Sequence, residues 1–305
     1  MASNGACAVS TMAASLLTMP TLRCLSGAVF LATVFGALQF ESTDAHADEP
    51  RAAFRPCIDP SNLPFANTHG DGFENRIADL FAHQLGLPVQ NYAFPQRMNF
   101  IRNTLRYKLP GEDFRCDIVM SVPAGYDQTW TTAPYYRSTY VLVFPKGKGL
   151  DQIKTATDLF ELSLDARRKL VIGIYDRSPA STWLVKHGWE QQAKPYPILN
   201  ADPEQYPGEI IEKDLAQGKI DAAIVWGPIG GYYAKRVRNV DLTLVPLKSE
   251  PGVRFDYEIA MGVRYGELEW KKVVDKLLAD NQAAITGILR EYNVPLLDES
   301  GNPVK

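Results

Sequence analysis

Residues 116–144, CDIVMSVPAGYDQTWTTAPYYRSTYVLVF, limit the folds open to this chain more than any other stretch. The segment 116–122 carries the unbroken apolar run Ile118-Val119-Met120, which is expected of a strand covered on both faces of a parallel sheet. Pro123, Gly125 and Pro134 then interrupt regular structure, interleaved with Tyr126, Trp130, Tyr135, Tyr136 and Arg137. A second strand follows over 138–144. Open α/β sheets place their ligand crevice at such a loop, beyond the C-terminal end of a parallel strand. The plainer reading is that these aromatics only fill the gap between two layers.

The alternation of elements on either side extends this reading. Residues 52–58 predict a strand, ending in the rigid loop Asp59-Pro60-Ser61-Asn62-Leu63-Pro64-Phe65. Over 72–85, Phe73, Ile77, Leu80, Phe81 and Leu85 share one face of a helix stopped by Gly86 and Pro88. A strand over 89–94 and a helix over 96–107 lead to the strand at 116, so the first third reads βαβαβ, the pattern of a parallel sheet. The pattern restarts after Phe144. Strands are predicted over 169–175, 196–199 and 220–226, with helices from Ser178-Pro179 to His187 and over 207–217. The Gly-rich stretch 227–233 reads as a loop. A strand over 242–247, a returning strand over 255–263 and one long helix over 268–289 complete the chain, and a loop tail follows Tyr292. Two similar lobes joined by two crossings, at 145–149 and 249–252, leave a cleft between them.

The N-terminal 47 residues read as a cleaved signal peptide rather than part of this fold. Arg23 precedes an apolar run over 25–40, and Ala45-His46-Ala47 supplies the small-x-small cleavage pattern. That run is short for a membrane span, so no membrane insertion is expected after cleavage. Met19 is a second candidate start. Lobe 1 is then 48–145 plus 251–305, and lobe 2 is 146–250. A formal net charge of −3 over 305 residues gives no electrostatic case for nucleic acid. Cys7 and Cys24 lie in the leader. Cys57 and Cys116 remain, and an even pair in an exported chain suggests one disulfide. The other reading is two buried free thiols.

The two-lobe plan resembles the type II periplasmic solute-binding proteins. The segments DPSNLPFAN, GFENRIADLFAHQLGLPV, FPQRMNFIRNTL, CDIVMSVPAGYD and TTAPYYRSTYVLVF are together similar to one branch of them, the MxaJ/XoxJ type. These are quinoprotein-dehydrogenase-associated binding proteins, encoded beside pyrroloquinoline-quinone methanol dehydrogenases. The resemblance covers the mature chain and is strongest over 57–144. It implies an α/β fold of two lobes, each a mainly parallel sheet flanked by helices. It also implies a periplasmic accessory protein that binds a PQQ-dependent methanol dehydrogenase, as large subunit or apo form, and assists its assembly or activation. The alternative is the receptor of an ABC transporter for a small non-amino-acid solute. Amino-acid binders of this fold carry an arginine after the first-lobe strand and an aspartate after the last second-lobe strand. Here those regions read PAGYDQTW and Val225-Trp226-Gly227-Pro228, so the ionic grip on a zwitterion is missing.

The residues themselves supply no catalytic site, metal site or cofactor motif: nucleophile elbow, phosphate loop and His/carboxylate metal spacing are all absent. Of the histidines after the leader, His83 and His187 read as solvated, and His69 lies in a Gly-rich loop near the cleft. Asp127 with Arg177 is the one acid–base pair considered, and helix capping and surface solvation explain both equally well. Binding is the better case. The candidate cleft residues are Asn62, Phe65, Tyr126, Asp127, Tyr135, Tyr136, Arg137, Asp176, Arg177, Trp226 and Tyr232. Their aromatic rings with polar tips suit a small-ligand pocket and a protein interface alike.

Overall fold

The computed structural model of the chain describes residues 51–96, 99–198 and 205–304. The signal peptide expected over 1–47 lies outside the described residues. The first repeat comprises strand β1 (Pro56–Ile58), a tight hairpin of β2 (Ser61–Asn62) and β3 (Ala66–Asn67), helix α1 (Phe73–Leu85), β4 (Tyr92–Ala93), α2 (Phe100–Asn103) and β5 (Ile118–Pro123). Strand β1 lies between β4 and β5 and runs parallel to both. After β6 (Trp130–Thr131) and β7 (Tyr136–Pro145), a short helix α3 (Leu164–Lys169) precedes the second repeat. That repeat has β8 (Ile172–Tyr175), α4 (Pro179–Lys186), β9 (Ala193–Tyr196), a π-helical turn (Ile210–Leu215) and β10 (Ala222–Trp226). Again the first strand is central, since β8 is parallel to β9 on one side and to β10 on the other. Helix α5 (Gly227–Arg236), β11 (Leu242–Pro246), β12 (Asp256–Val263), α6 (Leu268–Asp280) and α7 (Gln282–Glu291) follow.

Two-lobed architecture follows from how the long strand β7 is shared. Its N-terminal part, 136–139, pairs antiparallel with β12, which also pairs with β5. From Tyr140 onward it pairs with β10, and from Val141 with β11 as well. The change of partner falls inside the strand, ahead of the Pro145-Lys146-Gly147 segment expected to make the crossing. Separate apolar cores lie to either side. One gathers Phe54, Phe73, Ile77, Phe81, Met120, Met261 and Trp270, and another gathers Leu142, Phe144, Ile174, Trp183, Trp189 and Phe255.

Several elements differ from expectation for local reasons. The stretch 227–233 is not a loop but the start of α5, with Pro228 in its first turn. Its glycines serve close packing: a Cβ on Gly231 would lie 1.9 Å from the Asn293 carbonyl oxygen, and one on Gly227 would lie 2.3 Å from that of Thr139. The single helix expected over 268–289 is two, because buried Asn281 turns its Nδ2 onto the Leu277 carbonyl (2.7 Å) and exchanges side-chain hydrogen bonds with Gln84. The helix expected over 96–107 is reduced to one turn. Asn99 stands in the left-handed region at φ +66°, and Thr104 leaves the helical region at the other end. The helix expected over 207–217 is likewise one π-helical turn, and the strand expected at 196–199 sits at β9, 193–196. The tail beyond Tyr292 is irregular yet bound to β7, where Leu297 N donates to the Arg137 carbonyl (2.9 Å).

Asp117, fully buried at the start of β5, ties the first lobe together. It pairs with Arg55 (2.7 Å), Arg51 (2.9 Å) and Arg264 (2.7 Å), and Arg264 also donates to the Leu105 carbonyl (2.9 Å) and to Glu267 (2.5 Å). Burial pushes the Asp117 carboxyl up, but hydrogen bonds from Arg55 and Arg264 and the charge of Arg51 outweigh it, so its pKa lies below the usual range. The adjacent Cys116 forms a disulfide with Cys57 on β1.

Two predictions follow from this corner. Asp117→Asn takes the carboxylate from Arg55 and leaves Arg51 and Arg264 sharing Glu267, and should cost about 3 kcal/mol in a denaturant titration at neutral pH. The carboxylate's contribution is present above its unfolded pKa and disappears as pH falls through the folded one, so the gap to wild type should narrow in acid. Replacing Cys57 and Cys116 by serine opens a covalent loop spanning a separation of 59 residues, with an expected loss of roughly 4 kcal/mol in the same titration.

Candidate functional site

Both parallel repeats reverse strand order beside their central strand, so each opens a crevice at its C-terminal edge. The first is flanked by the loop after β1 and by the end of β5, the second by the loop after β8 and by the β10–α5 junction. These edges line one cleft of two overlapping cavities, about 650 and about 470 Å³. Asp59 and Asn62 come from the first loop, Ser121, Val122 and Tyr126 from the end of β5 and beyond, Tyr175 and Ser178 from β8 and its loop, and Trp226 and Ile229 from the β10–α5 junction.

The loop after β1 is pinned from several sides. Asp59 accepts hydrogen bonds from the backbone N–H of Ser61 (2.9 Å) and of Gln96, while the Asn62 amide donates to the Gln96 side chain (2.8 Å). The first N–H groups of α1 are satisfied by this loop too, Phe73 N donating to the Pro64 carbonyl (2.9 Å) and Glu74 N to that of Phe65 (2.8 Å). A cross-lobe bond joins in, from the Tyr233 hydroxyl on α5 to the Leu63 carbonyl (3.1 Å).

Of the expected cleft residues, Asn62, Phe65, Tyr126, Tyr136 and Trp226 line the cavities. The other six do not. Tyr135, just ahead of β7, is buried beside Tyr136 in the first-lobe core, and its hydroxyl donates to the buried Met120 carbonyl (2.9 Å). Arg137 is spent on the crossing, bound to Asp256 and, through Nη1, to the Glu299 carbonyl (2.8 Å). Asp127 is exposed on the turn before β6. Asp176 and Arg177 shape the turn into α4, with Arg177 exposed at φ +56°. Tyr232 turns outward along α5 to stack on Tyr292, ring centres 5.8 Å apart. The acid–base pair considered between Asp127 and Arg177 therefore has neither member in the cleft. His69 and His83 are exposed, and His187 pairs with Glu250 (3.0 Å) away from it. No group of three or more potential metal ligands occurs among the described residues.

Several lining residues escape the sequence reading. Tyr140 and Tyr257 join Trp226 in an aromatic wall, with ring centres 5.4 and 5.8 Å from the indole. Tyr140 lies four residues from Tyr136 on the same face of β7, a period-2 signal present in the sequence. Glu74 is the other omission. It falls on the apolar face of α1 with Ile77, Ala78 and Phe81, three, four and seven residues on, and is only 7% exposed. An acid on a buried helix face is itself a signal.

The electrostatics of the described part of the cleft are one-sided. Among the described residues lining it, the charged ones are Asp59 and Glu74, both acidic. Burial pushes the Glu74 carboxyl up to about 7, a hydrogen bond with Ser121 offsetting part of this and the charge of Asp59 adding to it. The Tyr136 hydroxyl is buried with no partner in full hydrogen-bond geometry, and burial and the nearby Glu74 hold its pKa far above the ordinary tyrosine value, Ser121 offsetting a little of this.

No protein-family model matches the chain. It is 27% identical over 265 residues to the protein MoxJ of Paracoccus denitrificans, covering 81% of this chain and 90% of that protein. The crystal structure of the periplasmic binding protein XoxJ from Methylobacterium extorquens AM1 superposes with a TM-score of 0.64 at 33% identity, covering 81% of this chain and all of that one. MxaJ from Methlophaga aminisulfidivorans MPT superposes with a TM-score of 0.66 at 23% identity, covering 80% of this chain and all of that one.

Glu74 makes stability depend on pH in the opposite sense to Asp117. Its folded pKa lies above the unfolded value, so stability is greatest in acid and declines as pH rises from about 4.5 through about 7. The carboxylate's burial then costs up to about 3 kcal/mol above pH 8. Glu74→Gln should raise the melting temperature at pH 8 and leave it nearly unchanged at pH 4.5, as read by calorimetry.

Proposed function

The chain belongs to the MoxJ/MxaJ/XoxJ family of periplasmic binding proteins, and from that premise we propose that it serves a PQQ-dependent methanol dehydrogenase as a periplasmic accessory protein. It binds the dehydrogenase, as large subunit or apo form, and assists its assembly or activation without chemistry of its own. On this reading the first 47 residues direct export and are removed. The lobes are 48–145 with 251–305, and 146–250, turning about the shared strand.

The observation that carries this reading is the make-up of the cleft. Gripping a zwitterionic amino acid requires a guanidinium and a carboxylate facing each other. The described lining instead offers two carboxylates and an aromatic wall of Tyr140, Trp226 and Tyr257. The arginine nearest in sequence to the first-lobe loop, Arg137, is committed to Asp256 at the crossing. Aromatic rings with polar tips are the side chains that anchor protein partners.

A second reading, the receptor of an ABC transporter for a small non-amino-acid solute, draws support from the position of the cleft at two topological switch points, where folds of this kind hold small ligands.

The two readings separate in the cell and in the tube. Deleting the gene should lower methanol-dependent dehydrogenase activity in periplasmic extracts and restoring it should recover that activity, while the tagged protein should co-purify with the dehydrogenase. Unchanged activity together with a metabolite that raises stability by about 2.7 kcal/mol at a hundredfold excess over Kd would favour the receptor instead.

A further inference from the structure

We propose that the cavity floor formed by Glu74 and Tyr136 is a binding site for a small organic ammonium group. Glu74 would supply the counter-charge, Tyr136 a hydrogen-bond acceptor, and the rings of Tyr140, Trp226 and Tyr257 the wall. This goes beyond the accessory role and does not depend on it.

Two independent observations converge on this floor. Glu74 is 7% exposed, and none of the residues facing it is cationic among those described: Asp59 comes from the loop after β1, Ser121 from β5, Tyr135 from just ahead of β7 and Tyr136 from its first position. An ionised carboxylate taken from water without a counter-ion is unfavourable by several kcal/mol, and such sites either hold a proton or pair with a cation. Beside it the Tyr136 hydroxyl, on a side chain equally buried and lining the same cavity, has no partner in full hydrogen-bond geometry and only a weak interaction with Ser121, which is itself bonded to Tyr135 (3.1 Å). Buried polar groups without a partner are rare and mark positions completed by something else.

The surrounding chemistry selects the class. A neutral solute would leave the carboxylate uncompensated, and an anion would meet two carboxylates. An ammonium group pairs with Glu74, donates a second hydrogen bond to the Tyr136 hydroxyl, and lays its alkyl part against aromatic faces that attract cations. The contrast with the buried acid elsewhere in the lobe is direct, since Asp117 already holds three arginines.

Binding has a proton balance. The empty site holds a proton on Glu74 in the half of the population that is uncharged near neutral pH, and an entering ammonium displaces it to solvent. Affinity should therefore rise about tenfold between pH 6 and pH 8, the change in ionised fraction of a carboxyl titrating at about 7.

Two sources of the same group are distinguished by the probe: methylammonium chloride for a free amine, and Nα-acetyl-lysine methylamide for a lysine side chain of a protein partner. Each is titrated into the purified protein at constant ionic strength, read by Trp226-sensitive fluorescence and by calorimetry in two buffers of different ionisation heat. The expected result is saturable binding of one or both probes, tighter at pH 8, with proton release at pH 6. Glu74→Gln, checked for native circular dichroism, should lose at least tenfold in affinity and the pH dependence with it. Tyr136→Phe should weaken binding while keeping the pH dependence. The proposal is overturned by absence of saturation with both probes, by pH-independent affinity in the wild-type protein, or by undiminished binding in Glu74→Gln. The wild-type pH series decides the matter even if a variant fails to fold.

Discussion

Everything in this molecule is arranged about β7. Ten residues of one strand are hydrogen-bonded to β12 at one end and to β10 and β11 at the other, so the two sheets cannot separate without breaking a continuous backbone ladder. The polar side chains at the change of partner are committed there. Ser138 donates to the Pro295 carbonyl (2.6 Å), Thr139 to that of Leu247 (2.6 Å), and Arg137 binds Asp256. A crossing built from a paired strand is stiffer than one built from a Gly-rich loop, because its backbone donors and acceptors are already satisfied. The cleft then lies where β7 passes between lobes, which is why Tyr136, on one side of the crossing, and Tyr140, on the other, both reach it.

That placement explains how the two halves of the site were legible to different degrees. The double βαβαβ alternation, the central position of the first strand in each repeat, and the location of the cleft at strand ends all follow from patterns of apolar residues and breakers. The disulfide followed from an even cysteine count and from β1 and β5 being neighbours. Strand periodicity places Tyr136 and Tyr140 together on β7, while Tyr135, ahead of the strand, is buried behind them with its hydroxyl on the Met120 carbonyl, a difference that aromatic density alone does not show. Arg137 looked like a cleft residue because it sits among aromatics. One residue's shift along a strand moved it to the face where Asp256 waits.

The failures at helices have a different origin. Periodicity read across 268–289 and 96–107 records which side is apolar, not whether the backbone hydrogen bonds continue. Asn281 and Asn99 interrupt them through side-chain bonding and a left-handed backbone, both available to asparagine in particular. Gly227 to Gly231 shows the converse. Glycine's low helix propensity argues for a loop, yet three glycines in five residues let α5 approach β7 and the segment at 293 within distances that any side chain would forbid. Tertiary contact overrode propensity there.

Two buried carboxylates show where this fold spends electrostatic stabilisation and where it withholds it. Asp117 is ringed by Arg51, Arg55 and Arg264, and the net effect lowers its pKa despite complete burial. Glu74, in the same lobe and on a helix packed against an apolar core, has among the described residues Ser121 to ease its charge. Had stability alone shaped both positions, an uncharged side chain at 74 would be favoured, since an unpaired acid on the apolar face of α1 gains nothing from the core around it. The difference between them is location: Asp117 faces the protein interior, and Glu74 faces the cavity between the lobes. A carboxyl raised by burial at the edge of a cavity, beside a buried hydroxyl with no partner in full hydrogen-bond geometry, is where perturbed groups gather for binding rather than for stability.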